Sequence, residues 1–274
     1  MAEYKIVACD LDGTLLDSNG NTGEENFCAI SKLAEKNVWF VPASGRSFTE
    51  IPYEIKDCKD IRYFICSSGA VVFDKFKNER ISFCFPRDLS KKIFNLLFAA
   101  DCHLTVRHFG KMYTDAQKMN EDSFFKYKVW GPHASLLKDV GEAIDGFEEK
   151  FSNSDDIEMI SIFIGDDKRL QTLKEELSLF SDVNVASACP YNIELTYKKA
   201  GKGNALAALA DKLGVSIDQT IAVGDSENDI PMVSFAGLGL AMSNSTDELK
   251  KHADKTVCTN NEHVVQYILN EFIV

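Results

Sequence analysis

The sequence predicts an α/β protein: a parallel sheet with helices on both faces, and a smaller α+β segment inserted into it. Three observations carry that prediction. The first quarter alternates short apolar runs with helix-period stretches, the last third repeats the alternation, and the middle breaks it. At 274 residues the chain is long for one compact domain and short for three, so one large domain or two unequal ones are expected.

Lys5 to Cys9 is an apolar run closed by Asp10 and reads as the first strand. Phe27, Ile30, Leu33 and Ala34 recur at helical spacing, and Val38 to Val41 and Ile61 to Cys66 are further apolar runs. Strands of this kind, separated by amphipathic helices, suit a parallel sheet buried on both faces. In the last third, Leu206, Leu209, Ala210 and Leu213 make one face of a helix that Gly214 ends. Thr220 to Val223 reads as a strand running into Gly224-Asp225. A short helix, a small-residue strand over 237–241 and a closing helix through Val264, Ile268 and Leu269 follow.

The middle has another grammar. Val71 to Phe73 and Ile81 to Phe85 flank a polar turn at Lys77-Asn78 and are expected to pair as a hairpin. Leu89 to Ala100 reads as helix, His103 to His108 and Met159 to Ile164 as strands, and Leu170 to Phe180 as helix. Residues 183–188 and 192–196 read as closing strands, whereas Lys118 to Pro132 follows no period. The expected division is residues 1–83 and 191–274 for the parallel-sheet core and 84–190 for the insert.

Hydrophobic residues are 45% and charged residues 26% of the chain, which excludes a disordered or fibrous protein. A net charge of −12 repels nucleic acid and anionic membranes, so neither is expected as a partner, and any anion site must be locally cationic. The eight cysteines include no C-x-x-C pair and sit mostly in apolar runs, as expected of buried thiols in a reducing compartment. No basic-then-apolar leader opens the sequence, and no run approaches the ~20 apolar residues of a membrane span. A cytoplasmic protein is expected.

The chemistry concentrates at strand ends, where such sheets place their ligands. Asp10-Leu11-Asp12-Gly13-Thr14 follows the first strand and sets two carboxylates on a turn that Gly13 allows, although D-x-D-G is also a common turn composition. Gly224-Asp225-Ser226-Glu227-Asn228-Asp229 follows another strand, with acids one helical turn apart; it also reads as an N-capped helix start. Four carboxylates at two strand ends repel one another without a cation, and a hard divalent ion, Mg²⁺ above all, is the natural counter-charge. Ala43-Ser44-Gly45-Arg46 offers a hydroxyl and amides, and Gly201-Lys202-Gly203 puts a lysine at a helix start, where charge and dipole both suit a phosphate.

Taken together, these residues resemble the haloacid dehalogenase superfamily of phosphohydrolases, in its Cof-type branch (subclass IIB) with a C2-type α/β cap. Asp10-Leu11-Asp12-Gly13-Thr14, Ser44, Lys202 and the segment 224–229 match its four motifs in order, and the long stretch between Ser44 and Lys202 leaves room for the cap. The resemblance implies a Rossmann-like core, with 84–190 as a cap governing substrate specificity. It implies Asp10 as nucleophile forming an aspartyl-phosphate, and Asp12 as the acid that protonates the leaving group and then activates water. It also implies Mg²⁺ held by the Asp10 carboxylate, the Asp12 carbonyl and Asp225, with Asp229 orienting its waters. Ser44, Lys202, Asn228 and amides near Leu11 and Gly45 would hold the phosphoryl oxygens. The expected substrate is a small phosphorylated metabolite, a sugar phosphate or phosphorylated cofactor. Ser67-Ser68-Gly69-Ala70 departs from relatives that carry Asn before Gly-Ala. A sugar phosphomutase, revealed by activation with a bisphosphorylated sugar, is the alternative enzyme. A phospho-acceptor signalling module is the alternative of another class, with slow turnover of a long-lived acyl phosphate as its mark.

Overall fold

The structure is a computed structural model that describes residues 3–273. Fourteen strands, β1 to β14, are assigned among these residues. They are β1 Ile6–Asp10, β2 Trp39–Ala43, β3 Tyr63–Cys66, β4 Val71–Asp74, β5 Glu79–Ser82, β6 His103–His108, β7 Lys111–Asp115, β8 Glu142–Ile144, β9 Ile157–Phe163, β10 Val183–Ala186, β11 Asn192–Tyr197, β12 Thr220–Gly224, β13 Leu238–Ala241 and β14 Lys255–Thr256. They form two sheets, ordered β14-β13-β12-β1-β2-β3-β4-β5 and β10-β11-β9-β6-β7-β8. The chain divides into two compact units: Arg46–Ile51 with Ser82–Ala200, and the rest.

The unit outside those two segments is the Rossmann-like core. From β14 to β3 every neighbouring pair is parallel, and β3–β4 turns antiparallel. β1 is wholly buried, and β2 and β12 flank it, so the strand order reverses at its two edges. One face packs Ile6, Ala8, Val41, Ile65 and Ala222 against Leu206 and Leu209 of the Lys202–Leu213 helix and against Met232 and Val233. Elsewhere in this unit the Glu24–Glu35 helix packs on the Val264–Phe272 helix. Gly214 ends the Lys202–Leu213 helix in the left-handed conformation at φ +66°, as its position in the sequence predicts.

The second unit is the smaller α+β insert. Its strands are antiparallel except β7–β8, and Leu104, Val106, Ile160, Ile162, Ile193 and Leu195 bury one face against Ile93, Phe94 and Leu97 of the Arg87–Ala99 helix and Leu173 and Leu177 of the Asp167–Ser178 helix. Residues 46–51, inside the span 1–83 expected for the core, belong to this unit.

Three local readings change. The hairpin strand expected over Ile81 to Phe85 ends at Ser82, because Phe85 is buried in the insert, bridged to Ile157, and Pro86 caps the next helix. β7 was not read at all; it joins β6 through Phe109-Gly110, both at positive φ as a two-residue hairpin loop requires. The unplaced stretch 118–132 holds the helix Glu121–Tyr127, whose first turn Asn120 caps by accepting from the Ser123 amide at 2.9 Å. Of the eight cysteines, none forms a disulfide; Cys9, Cys66 and Cys102 are buried, four are half-buried and Cys28 is exposed. No described helix is long and apolar enough to cross a membrane.

Candidate active site

Parallel pairing brings three strand ends side by side. Asp10 closes β1 opposite Ala43 of β2, and Cys9 lies opposite Val223 of β12, so Ser44 and Asp225 each stand one step beyond the strands flanking Asp10. The same parallel register runs along the length of β1 on both of its edges.

Asp10, Asp225 and Asp229 offer carboxylate oxygens within 4.8 Å of one another. Lys202 is fully buried at the first turn of its helix and donates to Asp10 Oδ1 at 2.5 Å and to Asp229 Oδ1 at 2.6 Å. The second oxygen of Asp229 accepts the Asp225 amide at 3.0 Å and the Ser226 amide at 3.1 Å, closing a capping box. Asp229 thus braces the loop through one oxygen and faces Lys202 and the acidic cluster with the other.

Glycines make the close approach possible. Gly13 sits at φ +81°, and a Cβ there would lie 2.4 Å from Asp225 Oδ2. A Cβ on Gly69, at φ +87°, would lie 2.2 Å from the carbonyl carbon of Gly201, directly before Lys202. Asn244, at the end of β13, donates to the Gly13 carbonyl at 2.8 Å, and the Thr246 amide donates to the Asp225 carbonyl at 2.9 Å. These two were missed in the sequence. The strand-end rule, applied to Ala241, is the signal that points to them.

Charge dominates this site. Burial first, then the Asp229 charge, raises the Asp10 carboxyl well above the usual range, and Lys202 opposes both. Burial lowers the Lys202 ammonium, but Asp10 and Asp229 outweigh it, so its pKa is raised. Burial and Asp229 push Asp225 up to about 6. Three carboxylates against one ammonium leave an excess of two negative charges, offered entirely by oxygen. That donor set fits a hard divalent cation such as Mg²⁺.

The remaining predicted residues are placed as follows. Asp12 is exposed and its carboxylate lies outside the three-acid cluster. Leu11 and Ser44 are buried, Gly45 is half-buried, and Asn228 is exposed, accepting from the Ser226 hydroxyl at 2.7 Å. Ser44 is pinned by main chain: its amide donates to Ile65 and its carbonyl accepts from Ser68.

A parallel sheet with an acidic triad, a buried lysine and a strand-end serine defines a class of phosphoryl-transfer enzymes. The chain belongs to the haloacid dehalogenase-like hydrolases, whose family model matches residues 7–269. It is 27% identical to phosphatase YwpJ of Bacillus subtilis, over 98% of this chain and all of that protein. It is 28% identical to the B. subtilis 5-amino-6-(5-phospho-D-ribitylamino)uracil phosphatase YcsE, over 99% of this chain and 97% of that protein. The crystal structure of TM0651 from Thermotoga maritima superposes with a TM-score of 0.84 at 27% identity, covering 99% of this chain and 98% of that one. The protein is a hydrolase of the phosphatase type.

Proposed function

We propose that the chain is a Mg²⁺-dependent phosphatase of the Cof-type, subclass IIB branch. It would hydrolyse a small phosphorylated metabolite, a sugar phosphate or phosphorylated cofactor, through an aspartyl-phosphate. The inserted unit would be its C2-type specificity cap. The observation that carries the reading is the buried Lys202 joining Asp10, at the end of β1, to Asp229. Two relatives that match along nearly their whole length are 5-amino-6-(5-phospho-D-ribitylamino)uracil phosphatases, which supports a small phosphorylated metabolite as substrate class.

Asp10 attacks phosphorus. A carboxylate facing a phosphate dianion at ~4 Å meets about 8 kcal/mol of repulsion at an effective dielectric of about 20. Lys202 offsets part of it: two of its protons go to Asp10 and Asp229, and the third is directed to a phosphoryl oxygen. Ser44 and the amides of Leu11 and Gly45 hold the other oxygens, with the Asn228 side chain. Asp12, which is exposed, would donate its proton to the alkoxide and then take one from the attacking water. Asp10, the Asp12 carbonyl, Asp225 and Asp229 would hold Mg²⁺, which supplies Lewis-acid charge neutralisation when bound.

The test is phosphate release from a panel of sugar and cofactor phosphates, with and without Mg²⁺. Hydrolysis should stop with a chelator, return with Mg²⁺, and be abolished by Asp10→Asn. Full activity in metal-free buffer, or in Asp10→Asn, contradicts the reading.

A further inference from the structure

The loop that follows β13 touches both halves of the acidic site without contributing an acid. Asn244 is exposed, and its side-chain amide is oriented from both ends. Its Oδ1 accepts the Asn260 amide at 2.9 Å, which leaves Nδ2 to donate to the Gly13 carbonyl at 2.8 Å. Two residues on, the Thr246 amide donates to the Asp225 carbonyl at 2.9 Å. The Thr246 hydroxyl accepts the Leu249 amide at 3.3 Å, which anchors that residue to the Asp247–His252 helix. One short stretch thus holds the turn after Asp12 at one point and the backbone of Asp225 at another.

The two held points are in contact. A Cβ on Gly13 would stand 2.4 Å from Asp225 Oδ2, so that carboxylate lies against the Gly13 backbone. The turn is braced again three residues on, where the buried Asn260 donates from Nδ2 to the Leu16 carbonyl at 3.1 Å. Its own main chain closes it further: the Leu15 amide donates to the Asp10 carbonyl at 3.2 Å and the Leu16 amide to the Leu11 carbonyl at 2.9 Å. All of these residues belong to the core unit.

We infer that Asn244 is a positioning residue for the metal site: by holding Gly13 it sets the spacing between the Asp12 carbonyl and the Asp225 carboxylate, and so favours Mg²⁺ over Ca²⁺. The inference rests on the Mg²⁺-dependent phosphatase reading and deepens it. Mg²⁺ demands near-octahedral oxygens at about 2.0–2.1 Å, whereas Ca²⁺ accepts oxygens at about 2.3–2.6 Å in flexible geometry. Two ligand-bearing loops clamped together keep the smaller spacing, and release of the clamp costs the ion that needs it. Groups that orient metal ligands without touching the metal are worth about 10–100-fold in affinity.

Asn244→Ala tests this, and because the side chain is exposed its truncation opens no cavity. The readouts are affinity for Mg²⁺ and, separately, for Ca²⁺, by calorimetric titration of substrate-free protein with a wild-type circular dichroism spectrum. Mg²⁺ affinity should fall at least about tenfold and Ca²⁺ affinity by less than about threefold, so that the wild-type preference for Mg²⁺ shrinks. Unchanged affinity for both ions overturns the inference. So does an equal loss of both, which makes Asn244 a support of the loop with no part in choosing the ion. If Asn244→Ala does not fold, Asn244→Asp serves. It keeps the oxygen that accepts from Asn260 and removes the donor to Gly13, and its added charge draws both ions alike, so the ratio of the two affinities still reads the geometry. A wild-type ratio there overturns the inference equally. Wild-type protein that binds neither ion fails the metal-dependent reading itself, and the inference with it. Wild-type protein that binds Ca²⁺ as tightly as Mg²⁺ overturns the inference alone.

Discussion

Lys202 does two things with one ammonium: it neutralises Asp10 and it competes for the acidic cluster. Its loss should therefore separate two properties. Lys202→Met should lose hydrolysis by at least about 10²-fold, as removal of a preorganised charge at a developing oxyanion does. Its apparent Mg²⁺ affinity should hold or strengthen, because Asp10 and Asp229 are then free of a bound cation. Calorimetric titration with Mg²⁺ checks this, and weakened metal binding would show that Lys202 shapes the metal site instead. Gly13→Ala makes the complementary prediction. Positive φ and the 2.4 Å approach to Asp225 both oppose a Cβ, so the loop or the carboxylate must move. Mg²⁺ affinity and activity should then fall together, each by about tenfold or more. The positions of Asp10, Asp225, Ser44 and Lys202 beside one another were legible in the sequence because each stands at a strand or helix end. Asn244 and Thr246 were not, because their role lies in carbonyls they hold across the chain.

The turn Ser67–Gly69 explains at the level of an element what the sequence showed only as a departure. Ser67 and Ser68 lie at φ +51° and +54°, the left-handed region that Asn tolerates better than Ser. Gly69 follows at φ +87° against Gly201, so the turn supports the start of the Lys202 helix. Ser68→Asn should stabilise the folded protein by about 0.5 kcal/mol, seen as a rise of a degree or so in Tm with activity retained; a fall in Tm would mean that the Ser68 side chain makes an indispensable contact. Elements were legible where period and punctuation agreed, as in the Lys202–Leu213 helix that ends at Gly214. They were illegible where the tertiary structure decided. Phe85 left its expected strand for the core of the insert, and Glu50 gave no local sign of a partner 57 residues away.

For the whole molecule, the core and insert should respond differently to acid. His103 and His133 lie buried in the insert; burial lowers His103 to about 4, with Lys118 adding to it, and lowers His133 to about 3, with Arg107 adding to it. The unfolded chain takes up both protons near pH 6.5 and the folded chain does not, so their contribution to stability is complete above pH 6.5 and is lost as pH falls towards 4. The slope approaches about 1.4 kcal/mol per pH unit for each histidine. Glu194, whose carboxyl burial raises, acts in the opposite direction just above the ordinary glutamate range. Trp130 lies in the insert and Trp39 in the core, so denaturant unfolding followed by Trp130 emission in a Trp39→Phe background reports the insert. Between pH 6.5 and 5 that stability should decline, and His133→Gln should roughly halve the decline; an unchanged slope would place the proton uptake elsewhere.

The division of labour between Asp10 and Asp12 is the centre of the account, and one experiment addresses it directly. Asp12→Ala is mixed rapidly with p-nitrophenyl phosphate and Mg²⁺, quenched in acid, and the peptide containing Asp10 is weighed by mass spectrometry. Nitrophenolate leaves without needing a proton, but water attack on the acyl phosphate lacks its base. The account predicts a burst of about one nitrophenolate per chain, slow turnover afterwards, and one phosphoryl group on Asp10. Turnover without a burst, with Asp10 unmodified and Asp10→Asn still active, would contradict it.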